Sequence, residues 1–168
     1  MTLRIETFDE QRHGHFIVSL TALLHESYRP LAEMGFRYSA THQDERATLK
    51  RLKQGESFLA FWEDQLAGTI YLRPPKQDHP CEYYQKHGVF HFGQFAVRVD
   101  LQGKGLAREM LAFVEGRAKA LGGVEIALDT AEGATALIAT YTRHGYRKVG
   151  SVKWTTTNYQ SVIMSKVL

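Results

Sequence analysis

The sequence predicts one α/β domain over residues 1–168, layered in the α+β sense, with helices on both faces of a mixed sheet. Three observations predict it. Short runs rich in β-branched and aromatic residues alternate with longer segments whose apolar residues recur every three or four positions. In chain order these segments read βααβββαβαββ, a pattern that layers helices against a sheet. The composition, 43% hydrophobic and 23% charged over 168 residues, suits a soluble chain long enough to bury a proper core.

Residues 3–6 open the chain as a short strand. Asp9 or Glu10 leads into a helix expected to reach Tyr28, with Phe16, Ile17, Leu20, Leu23 and Leu24 as its apolar stripe. Arg29-Pro30 is expected to stop it, because proline lacks a donor and disfavours helix at the residue before it. After a loop through Met34, Phe36 and Tyr38, Thr41 is the expected N-cap of a second helix over residues 42–54, closed by Gly55. Residues 57–62 and 66–72 read as strands that the polar turn Glu63-Asp64-Gln65 joins into a hairpin. Pro74-Pro75 ends the second strand, and residues 76–88 read as an irregular, exposed loop.

A central unit then opens near His91. Phe95-Ala96-Val97-Arg98-Val99 reads as a strand, breaks at Asp100-Leu101, and gives way to Gln102-Gly103-Lys104-Gly105-Leu106-Ala107. A helix follows with Leu106, Met110, Leu111, Val114, Ala118 and Leu121 on its apolar side, and Gly122-Gly123 stops it. Val124, Ile126 and Leu128 alternate in a strand ending at Asp129. Asp129 or Thr130 is expected to cap the next helix, since Asp129 and Glu132 have capping-box spacing. Leu137, Ile138 and Tyr141 share one side of that helix, and Gly145 ends it. Two closing strands, residues 146–149 and 160–167, are joined through Trp154 and Asn158.

Strand, glycine turn and helix in that order form a place to hold phosphate. The first N–H groups of a helix have no partner within it, and its dipole puts partial positive charge there. Glycine lets an anion approach that backbone closely, and Lys104 adds a full charge. A Walker loop fails here, because Gly105 rather than Ser or Thr follows Lys104 and Arg98 stands where its first glycine belongs. A dinucleotide fingerprint needs a third glycine where the chain has Arg108. The pattern that remains is Gln102-x-x-Gly105-x-Ala107, preceded by Phe95-Ala96-Val97 and followed by Tyr141-x-x-x-Gly145-Tyr146. This set resembles the coenzyme A-binding signature of the GCN5-related N-acetyltransferases (GNAT), over roughly residues 58 to 150.

The resemblance implies a mostly antiparallel central sheet and acetyl-coenzyme A as the cofactor. It implies that Gly103, Lys104, Gly105, Leu106, Ala107 and Arg108 receive the pyrophosphate, with Gln102 beside them. Phe95, Ala96 and Val97 would pair with the amide-bearing pantetheine arm. It assigns an oxyanion contact to the Val97 N–H and a general-acid role to the Tyr141 hydroxyl. The acceptor pocket it implies falls on Tyr28, Arg29, Phe36, Tyr38, Trp154 and Tyr159. Where many relatives carry a glutamate on the strand before the cofactor loop, this chain has Gln94, which takes no proton at neutral pH. The base is left to His91, to Glu82 through water, or to solvent. The chain also has Ala134 where an asparagine often helps hold the pantetheine. The expected activity is acetyl transfer to a primary amine, on a small molecule or a peptide, by direct attack in a ternary complex. A non-catalytic domain that senses acyl-coenzyme A is the alternative, motivated by Gln94 and Ala134.

Composition bounds the partners. The net charge of +3 suits an anionic cofactor, while Arg46, Lys50, Arg51 and Lys53 read as one solvated helix face, so no nucleic acid is expected. No apolar run approaches a membrane span, and the N-terminus lacks the apolar core of a secretory signal. The single cysteine, Cys81, forms no internal disulfide, which makes a reducing cytoplasm the expected setting. Cys81 with His79, His87 and His91 matches no standard zinc spacing, so no metal is expected. A homodimer through the last strands or the hairpin is compatible with the pattern.

Overall fold

In the computed structural model, residues 2–168 are described. They form β1 (Leu3–Thr7), α1 (Glu10–His13), α2 (Ile17–Glu33), α3 (Glu45–Leu52), β2 (Glu56–Trp62), β3 (Gln65–Arg73), β4 (Val89–Val97), α4 (Leu106–Ala120), β5 (Glu125–Ala131), α5 (Thr135–Arg143), β6 (Arg147–Val152) and β7 (Ser161–Val167). The strand order is β1-β2-β3-β4-β5-β7-β6, mostly antiparallel, with β4 and β5 parallel. The expected mixed sheet with α-helices is what forms. Two compact units divide the chain: one holds the residues up to Tyr71 with Gln94–Leu111, the other Leu72–Gly93 with Ala112–Leu168. Strand β4 and helix α4 each contribute residues to both. No helix among the described residues is long and apolar enough to cross a membrane.

In the first unit, Leu20, Leu23 and Leu24 of α2 and Leu52 of α3 pack with Leu59 and Phe61 of β2, Leu66 of β3 and Ala96 of β4. Alternation along β2 sends Leu59 and Phe61 to this cluster. Phe58 and Ala60 between them are also buried, so the strand is covered on both faces. Two sequence expectations are corrected here. Helix α2 runs through Pro30 to Glu33, because the proline stands in the final turn, where its missing N–H interrupts the ladder only near its end. The second helix starts later than expected, and its cap is Asp44, whose carboxylate accepts the Ala47 N–H at 2.8 Å. The Thr41 hydroxyl instead donates to the Tyr38 carbonyl at 2.6 Å, within a 3-10 turn over Ser39–Thr41. Glu63 and Asp64, both at positive φ (49° and 62°), make the tight turn between β2 and β3.

In the second unit, β4 pairs with β5 from Val89↔Glu125 to His91↔Ala127, and β5 pairs with β7 over seven residues. That long ladder corrects a third expectation. Asp129 and Thr130 are strand residues opposite Ile163 and Val162 and cap no helix. Helix α5 begins only at Thr135, after Ala134, with no side-chain cap. The loop expected to be exposed is anchored: Cys81 and Tyr84, around a 3-10 turn at Glu82–Gln85, are buried with Val89, Ala127 and Ile163. Leu121 and Val124, expected on apolar faces, are exposed because α4 ends at Ala120 and β5 starts at Glu125.

Candidate functional site

The first unit holds the glycine turn. Gly103 and Gly105 have φ of +78° and +89°, conformations that side chains with a Cβ rarely adopt. A Cβ built on either meets no atom within 4 Å, so the space in front of the turn is open. The first helical bond of α4 runs from the Glu109 N–H to the Gly105 carbonyl at 3.1 Å, and the N–H groups of Leu106, Ala107 and Arg108 precede it. Lys104 and Arg108 are exposed beside them. Donors, dipole and two cations therefore lie together at the start of α4, which fits a pyrophosphate. The Gln102 amide folds back and donates to the Val97 carbonyl at 3.1 Å, tying the turn to the end of β4. Beyond β4, Arg98 donates to the Leu66 carbonyl at 3.0 Å and grips Asp100 at 2.7 and 3.1 Å, holding that carboxyl below its usual range.

The last residues of β4 are held by side chains of α2. Ser27 donates to the Val97 carbonyl at 2.9 Å and Tyr28 to the Phe95 carbonyl at 3.0 Å. Between them and the start of the strand, Gln94 has φ of +47°, an unusual conformation for a residue with a side chain. Gln94 is 4% exposed, and its Oε1 accepts from Gln43 Nε2 at 3.1 Å. Gln43 also donates to Thr48 at 2.8 Å and accepts from Arg51 at 2.7 Å. Sequence reasoning saw Gln94 only as a missing acid and missed this network. The period of α3 marks Thr48 for the inward face, but nothing local announces Gln43.

Of the expected acceptor residues, Tyr28 and Tyr38 meet, with ring centroids 5.6 Å apart, while Arg29 is exposed. Arg51 stands over the Tyr71 ring at 5.8 Å. Burial pushes the Tyr28 phenol well up, against the pull of Arg51.

In the second unit, Tyr141 is buried on α5, 6.0 Å from Phe92 and 5.9 Å from Tyr146, centroid to centroid. Tyr146 donates to Glu115 at 2.9 Å, and Lys166 pairs with the other oxygen of that carboxylate at 2.9 Å. Trp154 and Tyr159 come near each other through Thr157, whose hydroxyl reaches both backbone carbonyls at 3.4 and 3.3 Å.

His91 differs from its expected role. It is 4% exposed and stacked flat on Tyr84, centroids 4.1 Å apart at 2°. Burial, with His79 and Arg73 nearby, pushes its pKa down to about 3. An imidazole this weakly basic is poorly matched to taking a proton at neutral pH. The sequence did not mark Asp129 as part of the same cluster. Its Oδ1 accepts from the Tyr84 hydroxyl at 2.8 Å and its Oδ2 from the Trp154 indole at 2.7 Å. Burial raises its pKa, against the pull of both donors.

A model described as the acetyltransferase (GNAT) family matches residues 17–146. The chain is 30% identical over 142 residues to S-(2-succino)cysteine N-acetyltransferase of Bacillus subtilis (strain 168), covering 83% of this chain and 82% of that one. Among solved structures it resembles the ribosomal-protein-alanine N-acetyltransferase of Brucella melitensis, with a TM-score of 0.71 at 18% identity over 98% and 99% of the two chains. It also resembles an acetyltransferase of Bacillus subtilis solved in complex with CoA, with a TM-score of 0.68 at 19% identity over 99% of each. These two likenesses are of fold.

Proposed function

The chain belongs to the acetyltransferase (GNAT) family, and from that premise we propose that it acetylates a primary amine on a small molecule or a peptide. It is an N-acetyltransferase with acetyl-coenzyme A as its donor. The observation that carries the reading is the open turn at Gly103 and Gly105, placed at the start of α4 with Lys104 and Arg108 beside it. Bound there, acetyl-coenzyme A supplies an acetyl group activated as a thioester. The relative's name, S-(2-succino)cysteine N-acetyltransferase, supports an acceptor of amino-acid size.

In this reading the chain's residues divide the work. The N–H groups from Gly103 to Arg108 take the pyrophosphate, and Gln102 holds the turn against the end of β4. Phe95, Ala96 and Val97 offer backbone to the pantetheine arm. The Ser27 and Tyr28 hydroxyls keep that backbone still. The Val97 N–H faces the charge that gathers on the acetyl oxygen. The Tyr141 hydroxyl gives its proton to the departing thiolate. Tyr28, Arg29, Phe36 and Tyr38 are the acceptor contacts that the first unit offers, and Trp154 and Tyr159 are candidates for the same role in the second.

Two measurements test this. Titration calorimetry with acetyl-coenzyme A is expected to give saturable binding, and no binding at millimolar cofactor overturns the reading. An assay of free thiol release over a panel of amines and short peptides is expected to find turnover, and Tyr141→Phe is expected to lower it by about 10²-fold or more.

A further inference from the structure

Gln94 breaks two rules at once. It has φ of +47° inside β4, a conformation that a side chain makes costly. The side chain is also buried, and among the described residues nothing accepts a hydrogen bond from its Nε2. A buried donor without an acceptor costs free energy, and folded proteins leave few of them. Folding alone explains neither feature, and their coincidence on one residue points to a contact made outside the fold.

The orientation of that amide is set from a distance. A guanidinium can only donate, so Arg51 requires the oxygen of Gln43 to face it, at 2.7 Å. Gln43 Nε2 is then at the other end, donating to Thr48 Oγ1 at 2.8 Å and to Gln94 Oε1 at 3.1 Å. Thr48 does not reverse the chain, because its own proton goes to the Asp44 carbonyl at 3.1 Å. Turning the Gln94 amide over would set two NH2 groups against each other. Gln94 therefore ends the chain with its N–H, and the charge of Arg51 polarises each bond toward that end.

All of these residues lie in the first unit. Phe95, next in the chain, is partly exposed, and its carbonyl accepts the Tyr28 hydroxyl at 3.0 Å. Tyr28, Tyr38 and Arg51 are partly exposed as well. The chain of donors is thus closed at Gln94 and reaches the surface through its neighbours.

We propose that Gln94 Nε2 binds a carboxylate oxygen of the acceptor, so that the preferred amine is an amino acid with its carboxylate free. This rests on the reading of the chain as an amine acetyltransferase. The oxygen satisfies the donor that the fold leaves unmatched, and a charged oxygen gains more from a polarised N–H than a neutral one does. An amine without the carboxylate leaves that donor unmatched, a difference that discriminates between substrates. Gln94 is in this role a specificity residue and moves no proton.

The test is thiol release from acetyl-coenzyme A over the common amino acids, the decarboxylated amine of each, and short peptides. For wild type, kcat/KM is expected to be about tenfold or more higher for the best amino acid than for its decarboxylated amine, mainly through KM. Gln94→Met keeps the length of the side chain and removes its polar atoms. That variant is expected to cut the preference to about threefold or less, with acetyl-coenzyme A affinity near wild type. Gln94→Glu still accepts from Gln43 but turns an oxygen toward the ligand, so it is expected to reverse the preference. Equal wild-type kcat/KM for the amino acid and its decarboxylated amine overturns the proposal without any variant, as does turnover confined to peptides. A fall in Gln94→Met that is the same for both substrates marks a structural role and overturns it. Faster turnover of the amino acid by Gln94→Glu marks the position as one for a base and overturns it too. A wild type that binds acetyl-coenzyme A and acetylates no amine removes the function beneath as well, whereas an active wild type without the preference removes Gln94 alone.

Discussion

A Cβ placed on Gly68 would lie 2.5 Å from the carbonyl oxygen of Ala96, so β3 approaches β4 there without room for any side chain. The same atom would meet Met110 Sδ and Cε at 3.2 Å. Met110 is flexible and can yield, but the Ala96 carbonyl belongs to a strand that Ser27 and Tyr28 hold on either side. Gly68→Ala is expected to cost about 2–3 kcal/mol through forced backbone displacement. Thermal unfolding should show a Tm lower by roughly 4–12 °C. Because the shift falls on Ala96, acetyl-coenzyme A binding should weaken as well.

The glycines of the cofactor turn predict a different signature. At Gly103 and Gly105 a Cβ meets nothing, so the cost to folding comes from backbone conformation alone, about 1 kcal/mol for each Gly→Ala change. The methyl would instead project into the open space proposed as the pyrophosphate seat. Each variant is expected to raise the KM for acetyl-coenzyme A by about tenfold, equivalent to about 1.4 kcal/mol, while kcat at saturating cofactor changes little. A KM unchanged in both variants would place the cofactor elsewhere.

His91 makes stability depend on acidity. Its pKa falls from 6.5 in the unfolded chain to about 3 in the fold, chiefly by burial. Between those values the unfolded chain binds a proton that the native state refuses. Stability is thus fully present above pH 6.5 and is lost as pH falls toward 3, at up to roughly 1.4 kcal/mol per pH unit. His91→Phe keeps a ring against Tyr84 and removes the titration. Urea midpoints from pH 4 to 7 are expected to fall less steeply in that variant, and equal slopes would show that other groups dominate.

What the sequence made legible was what local pattern determines. The Gly103–Gly105 turn is readable because positive φ demands glycine, and α4 is readable because Leu106, Met110 and Val114 repeat at helical spacing. Asp129 was misread for a physical reason. An Asp ahead of a Glu three residues on has the form of a capping box, and only the ladder with β7, over 30 residues away, keeps it in a strand. The burial of Cys81 and Tyr84 was illegible for a similar reason, since polar spacing in 76–88 reads as a loop until tertiary contacts cover it. Gln43 reaches Gln94 from 51 positions away, and no local signal encodes that contact.

Thr41 and Asp44 compete for the start of α3. Both residues are good caps by type, and local sequence does not choose between them. Asp44 has extended backbone (φ −83°, ψ 177°), and its side chain accepts the Ala47 N–H at 2.8 Å, three residues on. Thr41 spends its hydroxyl on the Tyr38 carbonyl, one turn earlier. Asp44→Ala is therefore expected to cost about 1 kcal/mol, seen as a lower urea midpoint, whereas Asp44→Asn should retain most of the stability because asparagine caps nearly as well. Thr41→Val should leave α3 capped and cost only its own hydrogen bond, about 0.5–1 kcal/mol. The consequence extends beyond the helix end. Thr48 and Arg51 of α3 hold Gln43 against Gln94, so fraying the first turn should loosen that amide before it unfolds the unit. Hydrogen exchange at Ala47 and Thr48 is expected to rise in Asp44→Ala while exchange in β2 stays slow.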